Sequence, residues 1–256
     1  MNLSDFEKEA INLLATQPKS RSRNCFNSAI NHLEKAHRLL DIDLEMAAFR
    51  AITAEEEASS GLMYCLKELQ YPDAEKLNPR NHAQKNAVTA FMKAVTAMPL
   101  EMQNDHHFEF SFAIDKNESE PKLELVIRNA SLFPDHKLRP EPPLHFFAAT
   151  GDRLRSFAPY IKQLVSSHGE NDFLSHIRRL ANFRNEILYA NDSGLPKIEQ
   201  IPSLAIEQWK SHVFAKLYGY LMIRPYKEHQ GFVCQLITAF LFVLEKIPLG
   251  DLHPDS

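Results

Sequence analysis

The fold class predicted by the sequence is mainly α, a helical bundle carrying a small antiparallel β insert. Three observations predict it. Apolar residues recur at three- and four-residue spacing towards both ends of the chain, the signature of amphipathic helices. Over residues 108–127 the period changes to two, the signature of strands with one apolar face, which sets a β insert at about 105–130. Helices on both sides of that insert carry apolar stripes that need partners, which argues for one domain over residues 1–256 rather than two.

The elements follow in order. A short helix is expected over 3–16, closed off by Pro18 and the Ser/Arg run at 20–23. Phe26, Ile30, Leu33, His37 and Leu40 then set one helical stripe. A long helix from Leu44 to Leu69 places Ala47, Ala48, Ala51, Ile52, Leu62, Leu66 and Leu69 on one side, and its alanines imply a neighbour at close approach. A further helix starts after Asn78-Pro79, carries Val88, Phe91, Val95 and Met98, and is expected to end at Pro99. Phe108, Phe110, Phe112 and Ile114 alternate with Glu109, Ser111 and Ala113, while Leu123, Leu125 and Ile127 alternate with Glu124 and Val126. These are two strands, joined by the polar stretch at 115–121. The Pro-rich segment 133–143 reads as a loop. Helices resume over 152–167, 171–190, 203–223 and 230–247, with a turn at 191–196 between two of them.

Composition excludes several classes. The chain is 44% hydrophobic and 24% charged, the range of an ordinary globular domain rather than a disordered or fibrous one. A formal net charge of −4 removes any global attraction to nucleic acid, so such binding would need a local basic patch. Three unpaired-looking cysteines point to a reducing compartment, and the N-terminus lacks an apolar stretch of signal-peptide length. The expected location is therefore the cytoplasm. The most apolar run, Phe232–Leu244, is 13 residues long, too short to span a bilayer and suited to a core helix. No membrane partner is expected.

Charges on apolar stripes are the informative anomaly, because an unpaired buried charge is costly. At 100° per residue Glu55 falls within about 40° of Ala48, Ala51, Ser59 and Leu62, while Glu56 and Glu57 turn progressively away. Arg184 falls within about 60° of Ile177, Leu180, Ala181, Ile187 and Leu188. An inward Glu and an inward Arg invite pairing. The pair is either a structural ion pair or a partly hydrated cleft whose Arg binds phosphate. His37, on its own stripe, is a candidate proton-transfer group. Glu34-Lys-Ala-His37 matches a di-iron Glu-x-x-His element, but no second copy occurs, so no metal is expected. Walker, Gly-x-Gly-x-x-Gly, Gly-x-Ser-x-Gly and Cys-x-x-Cys motifs are absent, so no small-molecule cofactor is expected either.

Several motifs share an order that resembles a known family. Met46-Ala-Ala-Phe-Arg-Ala-Ile-Thr-Ala-Glu-Glu-Glu-Ala58 follows a helix ending His37-Arg-Leu-Leu-Asp. Asn81-His82-Ala-Gln-Lys85 comes next, and Phe183-Arg-Asn-Glu-Ile-Leu-Tyr-Ala190 lies downstream. This resembles the HEPN superfamily of helical domains, and within it the AbiV-like proteins of bacterial abortive infection. The resemblance covers parts of residues 26–98 and 173–192. It implies a HEPN-like bundle, a homodimer and action on RNA in phage defence or a toxin–antitoxin system. Arg184, Asn185, Glu55 and Tyr189 would line the catalytic cleft, with Glu56, His82, Lys85 and His37 as binding residues. Active members are similar in being metal-independent endoribonucleases using Arg-x4–6-His, where Arg holds the scissile phosphate and His moves a proton. Arg184 and Asn185 match that pattern, but Tyr189 stands at the histidine position, and a phenol is a poor base near neutrality. Arg224 and His229 also have the spacing, but Pro225 disfavours a helix there. The alternative reading is a non-catalytic helical dimerisation module with a structural Glu55–Arg184 pair.

Overall fold

The alanine-rich helix from Leu44 is the axis of the structure. In the computed structural model, which describes residues 1–106, 108–116, 121–129, 131, 136–150, 153–167, 177, 187, 198, 201 and 203–244, this helix is α3 (Leu44–Glu68), preceded by α1 (Asp5–Thr16) and α2 (Arg21–Leu39). Ser4 closes a capping box with Glu7, and Ser20 and Asp43 each accept a hydrogen bond from a backbone N–H of the first turn that follows. The Ser/Arg run at 20–23 is thus the start of α2 rather than a spacer. Its polar residues suit a helix N-terminus, where backbone donors need acceptors.

The small side chains of α3 let its neighbours approach. Ala47, Ala48, Ala51, Ala54 and Ala58 are buried, and a Cβ at Gly61 would sit 2.8 Å from the Phe26 ring of α2. Helix α4 (His82–His106) packs on another side of α3. It starts later than expected, because Asn81 Oδ1 accepts from Gln84 N and caps it, while Pro79 stays in the preceding turn with its carbonyl bonded to Ser60. It also continues through Pro99, the expected stop. A proline removes a single backbone donor, and the buried Val88, Phe91 and Ala94 hold the helix in place ahead of it.

Strand β1 (Phe108–Asp115) pairs antiparallel with β2 (Lys122–Asn129), Phe110 opposite Ile127 and Phe112 opposite Leu125. The alternation therefore forms the expected β-hairpin. Phe110, Ile114, Leu123 and Leu125 face the core, and the Phe112 ring meets Tyr218 at 5.5 Å. Within the segment read as a loop, Lys137–Leu138 adds a third strand, β3, beside β2. Two further short strands follow, β4 (Ala149–Thr150) and β5 (Arg153–Leu154); β5 occupies the start of the expected helix at 152–167, which begins only at Ala158 as α5 (Ala158–Ser167). Helices α6 (Ser203–Ile223) and α7 (Gly231–Leu244) close the bundle. The expected helix over 171–190 lies outside the described residues except for Ile177 and Ile187, which are helical and buried. Ile187 packs on Ala48 and Ile52 of α3. The described part of the chain is thus mainly helical with one small antiparallel sheet. Among the described residues no helix is long and apolar enough to cross a membrane. Between the sheet and helices α3, α4, α6 and α7 lies a cavity of about 1030 Å³ with a largely apolar lining.

Candidate functional site

Two adjacent carboxylates leave α3 towards different neighbours, and each meets a histidine and a lysine. Glu55 turns to α6. His212 Nδ1 lies 2.9 Å from its Oε1 and Lys216 Nζ 3.7 Å away, although no hydrogen bond is aligned on that imidazole nitrogen. Lys216 is 1% exposed and Glu55 15%, so this is an interior ion pair. Burial alone would raise the Glu55 carboxyl. The Lys216 ammonium, with His212 and the Thr89 hydroxyl, outweighs it and holds the group at about 2. Burial pushes the Lys216 ammonium down to about 8 against the pull of Glu55, and Lys93 pushes the same way as burial.

Glu56 turns to α4 and is more buried than Glu55, 5% exposed in its side chain. This corrects the expectation that Glu56 points away from the apolar stripe. Helix α3 is covered by α2, α4 and α6, so it has no broad wet face on this turn. Lys85 Nζ donates to Glu56 Oε2 at 3.0 Å from a buried position, and His82 Nδ1 lies 2.9 and 3.0 Å from the two carboxylate oxygens. Burial would raise the Glu56 carboxyl, but the contacts from His82 and Lys85 bring it below the ordinary carboxylate value. The His82 side chain is 51% exposed. A carboxylate on Nδ1–H fixes the tautomer and leaves Nε2 as the lone-pair nitrogen of the neutral ring, an arrangement suited to accepting a proton from a ligand.

A groove of about 440 Å³ begins in the turn just ahead of His82. Asn78, Pro79 and Arg80 form one wall, and the Pro79 carbonyl is tied to Ser60, whose hydroxyl also bonds the Glu56 carbonyl. The groove wall and the Glu56 cluster are therefore pinned to the same turn of α3. Arg21, Lys67, Lys76, Arg80 and the acidic Glu75 line the groove; Lys76 is paired with Asp73 at 2.7 Å, and the Arg21 guanidinium stacks over Tyr64 at 4.3 Å. Lys67 is held by the carbonyls of Glu75 and Leu77, whereas Arg80 is exposed. This local basic patch runs against the overall charge of −4.

The structure thus brings together Glu56, His82 and Lys85, three of the residues selected from sequence. Glu55 points inward as expected; its basic partners among the described residues, His212 and Lys216, are on α6, and the Thr89 hydroxyl comes from α4. Arg184, Asn185 and Tyr189 lie outside the described residues. His37 is exposed instead of lying on the stripe, which runs through Phe26, Ala29, Ile30, Leu33 and Ala36 and leaves His37 a step to one side. Arg224 and His229 both bind the C-terminal end of α3, Arg224 through Glu68 at 3.1 Å and His229 through the Leu69 carbonyl at 3.0 Å. His212 and Lys216 were missed. The available signal was a lysine between Val213, Phe214 and Leu217 on an apolar helix, the same anomaly that singled out Glu55. No group of three metal-binding side chains occurs among the described residues.

No family model matches. Nor does any curated protein or solved structure.

Proposed function

We propose that the protein binds single-stranded RNA through its phosphate backbone in the groove bounded by Arg21, Lys67, Lys76 and Arg80, with His82 as the acid–base group beside it. The observation that carries this reading is the half-exposed His82 held through Nδ1 by the buried Glu56, two residues along the chain from Arg80 in the lining of a basic groove. Cations that follow a backbone are what the phosphates of single-stranded nucleic acid require. The Glu55–Lys216 pair, sealed in the interior, serves as structure, and the Glu56 cluster one residue later serves the ligand. This division keeps the HEPN-like reading of the sequence and moves the proton-transfer role to His82, since Tyr189 is a poor base.

A fluorescently labelled oligoribonucleotide titrated by anisotropy at rising salt tests the proposal. The expected log K falls linearly with log salt by about 0.7 per neutralised phosphate, and Arg80→Ala lowers that slope by roughly one contact. His82→Ala should bind within a few-fold of wild type and should abolish any cleavage leaving cyclic phosphate ends. Absence of binding at low salt, or wild-type affinity in an Arg80→Ala, Lys76→Ala double variant, refutes the proposal.

A further inference from the structure

We infer that the cavity between the sheet and the helices binds a neutral long-chain amphiphile, its acyl chain in the interior and its hydroxyl-bearing head among Glu7, Glu207 and Lys210. At about 1030 Å³ the cavity lies at the upper end of the range for ligand pockets, far beyond a packing defect. Its walls are apolar side chains from every layer of the fold, including Leu62, Phe91, Phe110, Phe214, Tyr218 and Phe232. Water filling such a space would lack the two to four polar partners each molecule needs. A ligand carrying polar groups along its length would find no partners for them.

Polar lining is concentrated instead. Lys210 sits 2.8 Å from Glu207 and 3.5 Å from Glu7 and donates to the Asn2 carbonyl, so donors and acceptors meet at one place. Of the three ionised groups at that place two, Glu7 and Glu207, are acidic; the other ionised lining group, Arg155, lies over Tyr160 at 5.6 Å. The acidic pair gives a carboxylate head no net attraction, whereas a hydroxyl head both donates and accepts there. The ligand class is therefore a monoacylglycerol-like molecule rather than a free fatty acid.

The test compares monopalmitin and palmitate on the full chain after delipidation on a hydrophobic resin, read by thermal shift and native mass spectrometry. Monopalmitin at about a hundred-fold excess over its Kd should raise Tm by roughly 5–10 °C and appear as a one-to-one adduct, with palmitate giving a smaller shift. Gly219 lines the cavity, and a Cβ there has Leu62 Cδ1 as its nearest neighbour at 3.9 Å. Gly219→Leu should therefore fill the space, keep or raise the ligand-free Tm, and remove the monopalmitin shift. No shift in the delipidated wild type overturns the inference, as does a palmitate shift equal to or above that of monopalmitin. A Gly219→Leu protein that melts lower also overturns it, because the chain itself would then occupy the space.

Discussion

Replacing Glu55 by Gln isolates what the interior ion pair contributes. The carboxylate is 15% exposed and faces Lys216, which is 1% exposed, so the variant leaves an ammonium in the core with no anion beside it. Breaking one side of such a pair costs about 3–5 kcal/mol, since the stranded charge keeps its desolvation penalty. The shift of Glu55 gives a consistent figure: from 4.5 to about 2 is worth roughly 3 kcal/mol. For a domain of this size Tm should fall on the order of 10 °C. The sign with pH follows from the depressed carboxyl. The unfolded chain binds the extra proton between pH 4.5 and about 2, so this stability is complete above 4.5 and lost on going down to about 2. Wild type and Glu55→Gln should therefore converge as the pH is lowered through that window, measured by urea denaturation at each pH. A Glu55→Leu, Lys216→Met double variant should recover most of the loss, because two apolar side chains of similar size leave no charge stranded. A Glu55→Gln protein melting within a degree or two of wild type at pH 7 would show that the pair contributes no such stability.

Three further outcomes follow from the same contacts. Lys216 has its folded value depressed from 10.5 to about 8, so the unfolded chain binds the extra proton in that window. The stability difference between wild type and Lys216→Met should therefore move in favour of wild type by about 3 kcal/mol between pH 8 and 10.5, read from paired urea melts. Gly61 and Gly219, both inside α-helices, should respond oppositely to alanine. Gly61→Ala meets the buried Phe26 ring at 2.8 Å and should lose about 1 kcal/mol net, while Gly219→Ala has room and should gain up to about 1 kcal/mol, both by thermal melts. Gln230 is fully buried, accepts from Leu144 N at 2.7 Å and donates to the Met222 carbonyl at 2.9 Å. Gln230→Ala should cost on the order of 3 kcal/mol, seen as a lower urea midpoint at unchanged slope.

Periodicity made most of the fold legible, because a long amphipathic helix or an alternating strand repeats its signal many times. Helix α3 and the β1–β2 hairpin were both readable for this reason. Short elements repeat nothing: β3, β4 and β5 are two residues each, and cross-strand pairing alone defines them. Helical angles identified Glu55 as inward but misplaced Glu56, since a helical wheel assumes one wet side and α3 is packed by three helices. Motif order along the chain brought Glu56, His82 and Lys85 into consideration. Their meeting at 2.9–3.0 Å depends on the α3–α4 crossing, which no spacing within one helix encodes. The basic groove was invisible for the same reason, its cations coming from α2, α3 and the turn before α4.

The most direct test of the account is the histidine side-chain NMR spectrum with and without RNA. Among 12 histidines, a His82→Gln variant identifies the His82 signal, and a His212→Gln variant that of the interior histidine beside Glu55. A short single-stranded oligoribonucleotide should move the His82 resonances while those of His212 stay in place. RNA that binds and leaves His82 unmoved, or that fails to bind at low salt, would contradict it.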